Sequence, residues 1–149
     1  MARVIINVPL SRRVSQQATV RHVRQILREI RIRARITASH GPYTTGRLAQ
    51  SINIDGPYIE INRVRGSVGS SLRYAELVNS GAGLHGPLGS KYLIRPRPPK
   101  RYLRFYWRRM GRTVALTQVR HPGQQGKRYL TDALREVARR HNLRVVIRE

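Results

Sequence analysis

The chain has 149 residues, 40% of them apolar, enough for one domain with a core of its own. Thirty Lys and Arg stand against 7 Asp and Glu, a formal net charge of +23, and cysteine is absent. These figures exclude disulfides, a thiol nucleophile and a cysteine-based zinc site; the charge either serves solubility alone, with its self-repulsion tolerated, or is offset by a polyanion.

The cations are nearly all arginine; Lys91, Lys100 and Lys127 are the lysines. A guanidinium holds phosphate or carboxylate in two parallel hydrogen bonds. Codon bias in a GC-rich genome is the other reading of the same excess. No apolar run reaches 18 residues, so no transmembrane span or membrane partner is expected. The start, MARVIINVPL, lacks the small-residue cleavage pattern of a signal peptide.

In chain order, Val4 to Val8 is a short apolar run stopped by Pro9, a strand or part of an N-terminal arm over 1–12. Ser11 or Ser15 is placed to cap the helix that follows. From Arg12 to Ala38 there is neither Gly nor Pro, and Val20, Val23, Ile26, Leu27, Ile30 and Ala34 recur at helical spacing. Beside that stripe, Arg13, Arg21, Arg24, Arg28, Arg31 and Arg35 fall in an arc of roughly 80° at 100° per residue. Ile32 and Ile36 project beyond the arginine arc, towards a partner or another part of the same fold.

A turn-rich break spans residues 40–46, and Thr45 is placed to cap a short helix over residues 47–51. Ile52 and Ile54 alternate like a strand, Gly56-Pro57 reads as a turn, and Ile59 and Ile61 continue the alternation. Residues 66–71 are a weak strand or a loop. Residues 73–79 read as a short helix or turn. The stretch from Gly81 to Gly89 is too glycine-rich for a helix or central strand, and it lacks the ending of a phosphate-cradling loop.

Tyr92 to Ile94 is strand-like, and Arg95-Pro96-Arg97-Pro98-Pro99-Lys100 is stiff and extended. Leu103, Phe105 and Trp107 alternate with Tyr102, Arg104 and Tyr106, which predicts a strand with an inward Leu-Phe-Trp face and a returning strand over 114–119. His121-Pro122-Gly123 breaks it. Residues 128–140 predict a helix faced by Leu130, Ala133, Leu134, Val137 and Ala138, followed by a strand over 143–147. The expected architecture is a single α+β domain over 1–149. A long N-terminal helix and a C-terminal helix pack on a small, mainly antiparallel sheet.

The seven carboxylates form no local acid–base pair, and the five histidines have no metal spacing. The expectation is therefore a protein that is not an enzyme and takes no cofactor or metal. Aromatics interleaved with arginines between Tyr92 and Arg109 suit nucleic acid, with phosphate contacts favoured over base reading.

Four segments carry a resemblance. They are Thr45-Gly46-Arg47-Leu48 with Ser51-Ile52, then Tyr74 to Gly81, then His121-Pro122-Gly123, then Tyr129-Leu130 with Ala133-Leu134. Their order and separation resemble the small tail-component (neck or tail-completion) proteins of long-tailed bacteriophages, typified by gene product ten of a lambdoid phage. Asn79 departs from the pattern, standing where that family often has Glu.

The resemblance implies a structural ring of six or twelve copies at the head–tail junction of the virion, assembled in the host cytoplasm. Its partners would be a head-closure or connector protein, tail terminator or tail-tube proteins, and double-stranded DNA passing through the lumen. It gives Arg13, Arg21, Arg24, Arg28, Arg31 and Arg35 to the DNA channel or to acidic partners. Gly81, Gly83, His85, Gly86, Pro87, Gly89, Arg95, Arg97 and Lys100 would meet adjacent rings or subunits. Gly46, Leu48, Tyr74, Val78, Gly81, His121, Pro122, Gly123, Leu130 and Leu134 would serve the fold. The alternative is a free-standing basic nucleic-acid-binding protein.

Overall fold

The computed structural model describes residues 2–10, 15–40 and 45–143, which divide into two compact units. The first comprises residues up to Asn79 together with those from Lys127 onward; the second is Ser80–Gly126.

The first unit opens with strand β1 (Ala2–Pro9), then helix α1 (Gln16–Ser39), short helix α2 (Arg47–Ser51), strands β2 (Ile52–Glu60) and β3 (Arg63–Ser70), and helix α3 (Ala75–Ser80). Helix α4 (Tyr129–Arg140) completes it. The three strands form an antiparallel sheet in the order β1-β3-β2. Ala2 and Ile6 of β1, Val64 and Val68 of β3 and Ile52 of β2 are buried, while Arg3, Ile5, Asn7 and Arg65 are exposed on the alternate positions. The buried positions join Val23, Ile26, Leu27, Ile30 and Ala34 of α1 in one core, sealed by Tyr129, Leu130, Ala133 and Val137 of α4. Each fully buried Val, Leu or Ile here is worth about 1.5–3 kcal/mol.

The architecture is α+β, but the expected N-terminal helix is corrected: the first element is a strand, and the long helix is internal. The physical reason lies in Val4, Ile5, Ile6 and Val8, β-branched residues that sit well on a pleated surface and pair in register with Val68, Ser67, Gly66 and Val64. The helix starts at Gln16, where Ser15 Oγ accepts from the Ala18 amide at 3.2 Å. The short helix is not capped by Thr45. Gly46, in the left-handed region at φ 72°, precedes it without a side-chain cap.

Gly56-Pro57 is not a turn. It lies inside β2, where the register shifts between Asp55 and Tyr58, and the chain reverses instead between β2 and β3. As β2 is an edge strand, the amide that proline lacks is not required on its open side. Residues 66–70 belong to β3. Gly66 is needed there because a Cβ at that position would overlap Leu27 Cδ1, so helix and sheet approach closely at that point.

The second unit is a β-ribbon. It pairs β4 (Ala82–Gly83) with β9 (Gly123–Gln124), β5 (Tyr92–Ile94) with β8 (Val119–His121), and β6 (Leu103–Trp107) with β7 (Arg112–Leu116), all antiparallel. A single turn of 3-10 helix, Arg108–Met110, followed by Gly111 at φ 62°, forms the tip. The outgoing side makes two excursions, residues 84–91 and 95–102, where the returning side has only Pro122 and then Thr117-Gln118. At Gly123 any side chain would run into the backbone of Ala82. No apolar side chain of this unit joins a buried core. The inward Leu-Phe-Trp face is therefore corrected as well: Phe105 and Trp107 are 37% and 39% exposed, their rings 6.1 Å apart. A two-stranded ribbon has no second layer for that face to pack against. Among the described residues no helix is long and apolar enough to cross a membrane.

Candidate anion-binding surface

Helix phasing separates the arginines of α1 into two kinds. Arg21, Arg24 and Arg28 are exposed along one edge. Arg31 and Arg35, further along the same edge, are partly buried. The Arg35 guanidinium donates to Ile52 O at 2.8 and 3.2 Å and to Gln50 O at 3.3 Å, which ties the end of α2 and the start of β2 to the long helix. Arg31 Nε is buried and has no hydrogen-bond partner. Arg13 lies outside the described residues, as does 144–147 of the expected final strand.

Four carboxylates of the first unit are engaged by neighbouring side chains. Glu136 pairs with Arg33 of α1 and, at 3.2 Å, with Arg140. Glu60 pairs with Arg63 and, at 3.7 Å, with Arg65, and these arginines hold its carboxyl below the usual range. Asp55 faces Arg3 at 3.7 Å and accepts from Tyr58 and Ser67, and the Tyr58 phenol is pushed up by that carboxylate. His141 Nε2 meets Glu29 Oε2 at 3.1 Å, joining the end of α4 to α1. Burial pushes the Glu29 carboxyl up, but hydrogen bonds with His141 and Gln25 and the charges of His141 and Arg140 outweigh it, so the net shift is down.

The ribbon is different in kind. It carries Lys91, Arg95, Arg97, Lys100, Arg101, Arg104, Arg108, Arg109, Arg112 and Arg120, and between Ser80 and Gly126 there is no Asp or Glu. All these cations are exposed, as are Tyr92, Tyr102, Tyr106 and Trp107. Of the glycine-loop residues, His85, Gly86 and Gly89 lie in the first excursion, folded by successive turns (His85 N to Ala82 O at 3.3 Å, Gly86 N to Gly83 O at 3.2 Å, Gly89 N to Gly86 O at 3.1 Å). Pro87 belongs to the same excursion, and Arg95, Arg97 and Lys100 to the second, where Lys100 N bonds to Arg97 O at 3.0 Å.

The motif residues fall where the chain changes direction or packs. Leu48 and Leu130 are buried, and Val78 and Leu134 pack against the core, whereas Tyr74 is 40% exposed. Gly81 has φ 90°. His121 Nδ1 accepts from the Gly123 amide at 2.9 Å, and Pro122 O accepts from Leu84 N at 2.8 Å, so His121-Pro122-Gly123 fixes the ribbon's base.

Sequence reasoning missed two things. Asn79 Oδ1 accepts from the Leu130 amide at 3.0 Å, and Asn79 Nδ2 donates to Thr131 Oγ1 at 3.3 Å, so a residue far upstream caps α4. Its backbone carbonyl accepts from Arg128 N at 3.0 Å, while Val78 O accepts from Lys127 N at 2.7 Å, which clamps the chain where the ribbon leaves and returns. An Asn at a motif position where Glu is usual was the available signal. The second is the convergence of Lys91 and Arg120 on one cleft, which follows from the pairing of β5 with β8 beside them.

Comparison with protein-family models, with curated proteins and with solved structures finds no match to this chain.

Proposed function

We propose that the protein is a structural, non-enzymatic subunit of a ring at the head–tail junction of a long-tailed bacteriophage, joining head connector to tail around the DNA channel. One observation carries the reading. The ribbon of residues 80–126 holds aromatic and cationic side chains in the open with no core and no acid of its own. A protein working alone gains nothing in stability from such an arm. A subunit in an assembly gains an insert that neighbours or DNA can cover. The ordered motifs support the same reading, because some serve the ribbon's base and others the core of the first unit.

Six or twelve copies would close such a ring. A head-closure or connector protein on one side and tail terminator or tail-tube proteins on the other would supply the missing negative charge. The free-standing nucleic-acid-binding alternative is favoured by the mixture of arginine and exposed aromatics on the ribbon.

Electron cryomicroscopy of particles carrying a tagged copy of this chain separates the two. A closed ring of tagged density between head and tail is expected. Tagged chain absent from particles, or spread along intracellular nucleic acid, overturns the ring.

A further inference from the structure

Strand pairing brings three cations of the ribbon together. Leu93 lies in β5, Lys91 and Arg95 stand just beyond its two ends, and all three line the same cleft. Leu93 pairs directly with Arg120 of β8, and Gln118 lies two residues before it. These five residues line an open cleft of about 430 Å³. The three cations line one cleft and repel one another, and the whole second unit offers no carboxylate to relieve them. Gln118 adds an amide donor. Guanidinium forks and an ammonium placed together in this way suit the separate oxygens of a tetrahedral oxyanion.

We propose that the Lys91–Arg95–Arg120 cleft binds backbone phosphate of duplex DNA. A second copy of this chain is the wrong occupant for the cleft, because Glu29, Asp55, Glu60 and Glu136 already face its own cations. An acidic protein surface normally intersperses both signs and would find no carboxylate here for its own cations. Duplex DNA presents only negative charge, one per about 1.7 Å of axis, which suits a surface of one sign. The inference takes from the proposed function only the presence of duplex DNA beside the protein; ring closure plays no part in it. It also moves the DNA contact from the long helix to the ribbon.

The test is fluorescence anisotropy of a labelled duplex of about 24 base pairs with the full-length chain, from about 50 to about 200 mM salt. Wild type is compared with Lys91→Gln/Arg95→Gln/Arg120→Gln, with the charge-preserving Lys91→Arg/Arg95→Lys/Arg120→Lys, and with Arg21→Gln/Arg24→Gln/Arg28→Gln on α1. Loss of three phosphate contacts should make the salt slope shallower by about 2.7. Wild type then loses about 40-fold more affinity than the cleft variant over that range. The charge-preserving variant should keep the wild-type slope, and the α1 variant should change it by less than about one contact's worth, about 0.9. If circular dichroism shows the triple Gln variant unfolded, Arg120→Gln alone is read, with a change of about 0.9.

An unchanged slope in the cleft variant, an equal change in the α1 variant, or no duplex binding by wild type overturns the proposal. So does polyglutamate displacing the duplex at equal charge concentration, which would point to an acidic protein. Native mass spectrometry on the same samples reports ring formation separately. A monomer that binds duplex through the cleft leaves this inference standing, and tagged particles without ring density sink the ring separately.

Discussion

Leu27 and Gly66 should behave as one packing unit, and a double-mutant cycle measures it. Leu27 is fully buried on the inner face of α1, and its Cδ1 occupies the space a Cβ on Gly66 of β3 would need. Leu27→Ala alone empties that space and should destabilise by about 2.7–5 kcal/mol, depending on how far the site collapses. Gly66→Ala alone overpacks it and should destabilise by about 1–3 kcal/mol, as Leu27 and the strand give way. In the double variant the new methyl enters space the leucine has vacated, and the overpacking cost disappears. The double should therefore be less destabilised than the two singles added together, by at least about 1 kcal/mol. Urea unfolding followed by far-ultraviolet circular dichroism gives the four free energies, with equal slopes required across the set. Additivity within about 0.5 kcal/mol would refute the account, because independent sites add to that precision.

Arg35→Ala should cost about 1.5–3 kcal/mol by leaving Ile52 O and Gln50 O without their charged donor, and Arg35→Lys should not restore it, because an ammonium cannot span both carbonyls; thermal melts check both. Trp107→Ala should stay within about 0.5 kcal/mol of wild type, against the 3–5 kcal/mol or so expected of a buried aromatic, and iodide should quench the fluorescence of this sole tryptophan in the free chain. Burial, with a smaller contribution from Tyr74, raises the Tyr129 phenol from 10.0 to about 12. The folded chain thus keeps a proton that the unfolded chain releases, and the stability this lends is complete below pH 10 and lost as pH rises towards 12. A loss of about 2–3 kcal/mol across that window should be seen in urea midpoints of wild type and be absent from Tyr129→Phe.

Helical positions were legible because period and burial coincide: Val23, Ile26, Leu27, Ile30 and Ala34 were assigned to the core from spacing alone, and they are fully buried. The N-terminal strand was only half legible, since a run of four β-branched residues fits either an arm or a sheet, and its partner lies some sixty residues downstream. The Gly56-Pro57 misreading has the same origin. Whether proline ends a strand or rides its edge depends on which strands flank it, a tertiary fact. Phe105 and Trp107 were misassigned because alternation reports that a strand has two faces, not that either is covered. The helix stripe of arginines was visible, but Arg35's bonds to the β2 backbone were not, because helix phase says nothing about what lies opposite. The cleft cations were unreadable for a similar reason: Lys91 and Arg120 are far apart in sequence and meet only through strand pairing.

The returning side of the ribbon works as a ruler against which the outgoing side is measured. Both excursions leave from the outgoing side alone, so chain can be added to 84–91 or 95–102 without changing which residue of β5 or β6 faces which residue of β8 or β7. A single residue inserted at Thr117-Gln118 has the opposite effect. It lengthens by half a two-residue link that lies outside both strands, so the step from β7 to β8 has little slack to absorb it. The arm is thus tolerant of length on one side and intolerant on the other, and a series of one-residue insertions would trace that asymmetry along the chain.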